Sequence, residues 1–224
     1  MARPRALIAW SSGKDSAWAL HELRKSGDYE VVGALTTITE TFARVSMHGV
    51  REEVLRAQLD AARLTPLLVP IPYPCPNEVY EARMERALAE AKAEGVTHIA
   101  FGDLFLEDIR AYREQKLAAA GIIPVFPLWG RSTADLARAM IEQGLDARLV
   151  CVDLKRLPRD FAGRAFDRAL LSALPPDADP CGENGEFHTC VVGGPIFTRS
   201  LPVASGEVLE RDGFAYADLR LIEA

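Results

Sequence analysis

Apolar positions along the first half of this 224-residue chain alternate between two spacings. Short β-rich apolar runs at residues 6–10, 31–38, 67–71, 97–101 and 122–128 predict strands. The stretches between them carry helical spacing. Residues 14–26 place Ala17, Leu20 and Leu23 on one face, with Gly27 as a stop signal. Residues 50–64, 78–94 and 107–120 are likewise amphipathic, the second ended by Gly95 and reading as a solvated, charged face. Pro70, Pro72, Pro74 and Pro76 close the third strand. Strands alternating with helices predict a parallel sheet covered on both faces.

After Gly130 the pattern loosens. Ser132 caps a helix running to Gln143, residues 147–152 read as a strand, and residues 161–174 read as a helix. From Pro175 the chain is rich in Gly, Pro and Asp, then gives short alternating runs at 190–192, 207–209 and 214–222. The expected organisation is a domain over residues 1–130 and a smaller α+β domain over 131–224. No internal repeat or low-complexity tract is present.

Composition narrows the class. Apolar residues make up 49% and charged residues 26%, which excludes a disordered chain, a collagen-like repeat and a coiled coil. A chain this long buries roughly 70% of its unfolded surface and needs no disulfide or metal staple. With 26 basic and 32 acidic residues the net charge is -6, against a broad nucleic-acid-binding face. Apolar runs fall far short of the ~18 residues of a membrane span, and residues 1–5 lead straight into a strand without a secretory signal. The expectation is a cytoplasmic protein with reduced thiols. Cys75, Cys151, Cys181 and Cys190 form no C-x-x-C pair, and Cys181, His188 and Cys190 fit no usual zinc spacing.

Two motifs carry chemistry. Ser11, Ser12, Gly13, Lys14, Asp15 and Ser16 lie between the first strand and the first helix. Unpaired N–H groups at the helix N-terminus, three hydroxyls and a lysine make that turn a phosphate cradle. A Walker A loop is excluded, since Ile8 stands where its first Gly belongs and Asp15 follows the lysine. The run resembles the S-G-G-K-D-S pyrophosphate loop of the PP-loop ATP pyrophosphatases, with Ser12 at the first Gly position. The resemblance implies an α/β fold with a five-stranded parallel sheet of the adenine nucleotide alpha-hydrolase (HUP-like) type. It also implies cleavage of ATP to AMP and pyrophosphate, with residues 11–16 holding the pyrophosphate and Asp15 ordering Mg²⁺.

The second motif is Cys181-Gly182-Glu183-Asn184-Gly185-Glu186-Phe187-His188-Thr189, a polar loop that could position ammonia, take a proton or bind a cation. It resembles the E-G-G-E-[FY]-E-T signature of the diphthine–ammonia ligase family, a branch of the same ATP pyrophosphatases. Pro127-Leu128-Trp129 and Gly102 also match that family. Asn184 departs from its second Gly, His188 from its second acid, and residues 102–106 from its G-A-I-x-S. The resemblance implies an AMP-forming ligase that amidates a carboxylate, on an elongation-factor-like protein or a small molecule, with ammonia. Lys14, Asp15, Glu183, Glu186 and His188 would be catalytic. Residues 11–16, Thr36, His48, Gly102 and Asp103 would hold ATP. Glu183, Glu186 and His188 are expected to face the α-phosphate across the cleft between the domains. Two other readings stand: a nucleotide sensor of the same fold, and a tRNA sulfur-transfer enzyme, which lacks its C-x-x-C pair and basic surface. A homo-oligomer is left open.

Overall fold

The computed structural model describes residues 2–222. Five strands, β1 (Arg5–Ala9), β2 (Glu30–Thr39), β4 (Thr65–Ile71), β5 (His98–Ala100) and β6 (Ile123–Val125), run parallel in the order β4-β2-β1-β5-β6. A two-residue strand, β3 (Arg44–Val45), pairs antiparallel with the end of β2. Helices α1 (Lys14–Ser26), α2 (Glu52–Ala61), α3 (Asn77–Ala93) and α4 (Glu107–Ala120) complete this half. The HUP-like α/β sheet is therefore present. From β1 the chain builds outward to β2 and β4, then crosses back to β5 and β6 on the other side. That reversal leaves a crevice beyond the carboxyl ends of β1 and β5, where open parallel sheets bind ligands.

The second half forms α5 (Thr133–Glu142), β7 (Asp146–Asp153), α6 (Arg168–Ala173), β8 (Phe187–Gly193), β9 (Val203–Arg211) and β10 (Phe214–Leu221). Its four strands make an antiparallel sheet of order β8-β7-β10-β9. Period-two alternation along β1 divides the core. Ile8 and Trp10 join an apolar cluster with α1, α2, α5 and the antiparallel sheet. Leu7 joins a second cluster with α3 and α4. Those two helices are thinly anchored: α3 buries Ala87, Leu88 and Ala91, and α4 buries Leu117.

One expected element is different. Residues 161–174 are not one helix. They form the end of a 3₁₀ turn (Arg159–Phe161), an extended stretch and then α6. Gly163, at φ 88°, breaks the helical path. The residues after it pair with β7, Leu149 N donating to Arg164 O and Phe166 N to Ala147 O (both 2.9 Å). Asp167 then caps α6, accepting from Leu170 N at 2.7 Å. Phe161, Phe166 and Leu170 are all buried, so their spacing imitates a helical face. Among the described residues no helix is long and apolar enough to cross a membrane.

Candidate functional site

The turn between β1 and α1 is built by groups from both sheets. Ser12 sits in the left-handed region at φ 73°, which places its carbonyl toward β8. Val191 N (2.9 Å) and Gln58 Nε2 (3.1 Å) donate to that carbonyl. Gln58 is fully buried, accepts from Trp10 Nε1 at 3.1 Å and donates to Val191 O at 2.6 Å. Lys14 N donates to Thr189 Oγ1 at 3.0 Å. Ser11 Oγ accepts from Gly13 N at 3.3 Å and lies 3.3 Å from Ser16 Oγ. Strand β8 thus seats the loop against its own edge, with the helix N-terminus open to the crevice.

A cavity of about 400 Å³ fills that crevice. Ser11, Lys14, Asp15, Ser16, Thr36, His48, Gly102 and Asp103 line it from the parallel sheet, and Glu183 and His188 from the antiparallel one. Thr36 donates its hydroxyl to Trp10 O at 2.8 Å and so faces inward. Gly102 has a tighter constraint than ligand approach: a Cβ there would lie 2.6 Å from the Asp15 carbonyl carbon. Its bare backbone lets β5 close on the first turn of α1.

Three expected site residues lie elsewhere. Ser12 is buried, and its Oγ finds no hydrogen-bond partner among the described residues. Gly13 is packed against His48 Nε2 and Thr189 O. Glu186 is wholly buried within its own loop, accepting from Asp179 N (3.1 Å), Asn184 N (3.0 Å) and Asn184 Nδ2 (3.3 Å), with Arg156 at 3.5 Å. It is the clamp of the loop and does not line the cavity. Lys14 lines the cavity, but its ammonium turns to Asp15 (2.8 Å) and to the Cys181 carbonyl, between the rings of Phe166 and Phe187. It ties the β1–α1 turn to the 181–189 loop.

The electrostatics follow from enclosure. Burial lowers the Lys14 pKa, but Asp15, through its charge and its hydrogen bond, leads the opposing contributions, and the lysine's pKa ends above its ordinary value. Burial, reinforced by Lys14, pulls His188 down to about 4. Burial, His188 and Lys14 push His48 well below the usual imidazole range. These two rings, 4.5 Å apart, are a neutral pair, and His48 Nδ1 has no partner among the described residues. Burial raises Glu183 to about 7, against the Leu104 N–H that donates to it at 2.9 Å. A carboxyl poised near neutrality can exchange a proton with a reacting group.

No set of three or more His, Cys, Asp or Glu side chains converges to hold a metal among the described residues. Asp103 is engaged by Arg113 at 2.8 Å, and Glu183 by Leu104 N. The donor set does not fit a protein-held Mg²⁺. Cys181 and Cys190 are raised by burial to about 12 and stay protonated, unlike reactive or metal-bound thiolates.

Sequence reasoning missed Gln58, Thr189 and Arg113. Thr189 ended the quoted motif without a role. Gln58 is a polar residue on the apolar face of α2 beside Leu55 and Leu59, a signal visible in the spacing. Arg113 lies in the charge-dense start of α4. It lines the cavity and stacks on Phe101 at 4.3 Å.

Comparison with known proteins yields consistent relatives. A family described as the diphthamide synthase C-terminal domain matches residues 132–220. Human diphthine–ammonia ligase is 26% identical over 157 residues, covering 66% of this chain and 59% of that protein. The bovine enzyme is 26% identical over 162 residues, covering 69% and 61%. The Schizosaccharomyces pombe enzyme is 31% identical over 87 residues, covering 37% of this chain and 14% of its own length. The chain thus spans about three fifths of the human and bovine relatives.

Proposed function

The chain belongs to the diphthine–ammonia ligase family, and we propose that it is an ATP-dependent, AMP- and pyrophosphate-forming ligase that adenylates a carboxylate and amidates it with ammonia. One observation carries this reading: the 11–16 turn and the Glu183–His188 pair, from separate sheets, line a single cavity. The acceptor carboxylate oxygen attacks the α-phosphorus of ATP, and pyrophosphate leaves toward the α1 N-terminus, Ser11 and Ser16. Ammonia then attacks the acyl carbon and AMP departs. The proton released from nitrogen passes to Glu183, whose pKa near 7 suits a general base. Lys14 keeps its charge beside the turn and holds the 181–189 loop over it. The neutral His48 and His188 form a wall that does not compete for anions. Mg²⁺ borne by the phosphates would offset their charge.

Nucleotide chromatography after incubation with Mg²⁺, ammonium and candidate carboxylates tests the reaction. AMP and pyrophosphate are the expected products; ADP as the main product rejects the mechanism. Glu183→Gln keeps the acceptor for Leu104 N, so it is expected to retain ATP affinity while lowering turnover by about 10²–10⁴. ATP binding with no turnover on any acceptor would favour a sensor.

A further inference from the structure

A second cavity of about 350 Å³ lies between α3 and α4. Its walls are mainly apolar, including Met84, Leu88, Ile99 and Leu117. It is not separate from the nucleotide cavity: Leu35, Tyr80, Met84, Phe101 and Arg113 line both. The two form one cleft, polar at the α1 end and apolar at the α3–α4 end. At their junction Arg113 Nη2 donates to Asp103 Oδ1 at 3.1 Å and Nε lies 2.8 Å from Asp103 Oδ2 as an ion pair without hydrogen-bond geometry, which leaves both Nη1 donors unused among the described residues. The groove exists because α4 is held to the sheet by so little, with Leu117 its buried anchor and Tyr112 44% exposed.

We infer that this groove takes the apolar body of a small carboxylic acid acceptor, whose carboxylate reaches past Arg113 into the nucleotide cavity. The inference rests on the ligase reading above and adds the acceptor's chemical class. An acceptor must present its carboxylate inside the polar cavity, so its remainder must lie along a continuous wall. The groove supplies such a wall, mainly apolar with Glu81, Glu85 and Lys116 also in its lining, and it carries a guanidinium where the carboxylate would pass. A long polar acceptor would lose hydration against Met84, Leu88, Ile99 and Leu117 without gaining partners from them.

Octanoate is the probe, read by methyl NMR on the folded full chain with ¹³C-labelled methionine. Met84 lines the groove and its junction with the nucleotide cavity, Met47 lines the nucleotide cavity alone, and Met140 is buried in the core on the α5 side. Octanoate is expected to shift Met84 and leave Met140 unmoved, and to bind more tightly than octanol or octylamine. Ala120→Phe puts a ring in the groove at a position outside the nucleotide cavity. It is expected to weaken octanoate about tenfold while ATP affinity is unchanged. Ala119→Phe, one residue earlier, gives the same test if that variant does not fold. No Met84 shift, equal binding of octanol, or full octanoate affinity in the folded variant overturns the inference. Loss of ATP affinity in Ala120→Phe also overturns it, since the groove would then hold the nucleotide. Failure of the wild-type chain to bind ATP, read at Met47, is separate and rejects the ligase reading itself.

Discussion

At the scale of single residues, Ser12 occupies a backbone state that suits glycine. Its left-handed φ costs a non-glycine residue roughly 1–2 kcal/mol, and its buried hydroxyl is unpartnered among the described residues. Ser12→Gly relieves both, partly offset by greater freedom in the unfolded chain. It is expected to raise stability by about 1 kcal/mol, read as a higher urea midpoint at constant m-value. The cavity's titrating groups pull stability in opposite directions with pH. Folded His188 refuses a proton between its ordinary 6.5 and about 4, whereas the unfolded chain accepts one. Its contribution is therefore full above pH 6.5 and is lost as pH falls toward 4. Glu183, held at about 7, keeps a proton that the unfolded chain releases near 4.5. Its contribution is full below pH 4.5 and is lost as pH rises to 7. His188→Gln is expected to recover roughly 2–3 kcal/mol at pH 4, and Glu183→Gln to flatten the decline between pH 4.5 and 7. Unfolding titrations across this range that match wild type in both variants would show the two groups to be solvated.

At the scale of elements, the 179–186 loop owes its shape to one buried carboxylate. Glu186 accepts from Asp179 N and both nitrogens of Asn184, and Asp179 in turn accepts from Cys181 N at 2.8 Å and Glu183 N at 3.2 Å. Glu186→Gln turns an acceptor into a donor facing N–H groups, which leaves buried polar atoms unpaired. The expected cost is about 1–3 kcal/mol, seen as a lower melting temperature. Because Glu183 lies on the same loop, turnover should fall with it, whereas a solvated turn would leave both unchanged. The α1 start and the regular helices α3 and α4 were legible from apolar spacing and glycine stops. The stretch over residues 161–174 was not, because buried side chains from a turn, an extended segment and a helix can share a helix-like spacing.

At the scale of the whole molecule, the two sheets share one buried cluster, and polar ties cross between them. Gln58 joins α2 to β8, and Asp218 on β10 accepts from Arg44 (2.9 Å) and from Arg51 (2.8 Å). We expect one cooperative calorimetric transition, with calorimetric and van't Hoff enthalpies equal; two transitions would mean the halves fold independently. ATP should raise that single melting temperature by mass action. The sequence by itself determined the strand–helix order, the parallel sheet and the polar turn between β1 and α1. These depend on local periodicity and on residues adjacent in the chain, and so leave a linear trace. Only the tertiary structure decided which motif residues share the cavity. Glu183 and Glu186 are three apart, yet one faces the crevice and the other clamps the loop, because a tight turn sends neighbouring side chains in opposite directions. Lys14 reads as a phosphate ligand from its position in the motif. Its ammonium also donates to a carbonyl 167 residues away, a contact that exists only once the two sheets have packed.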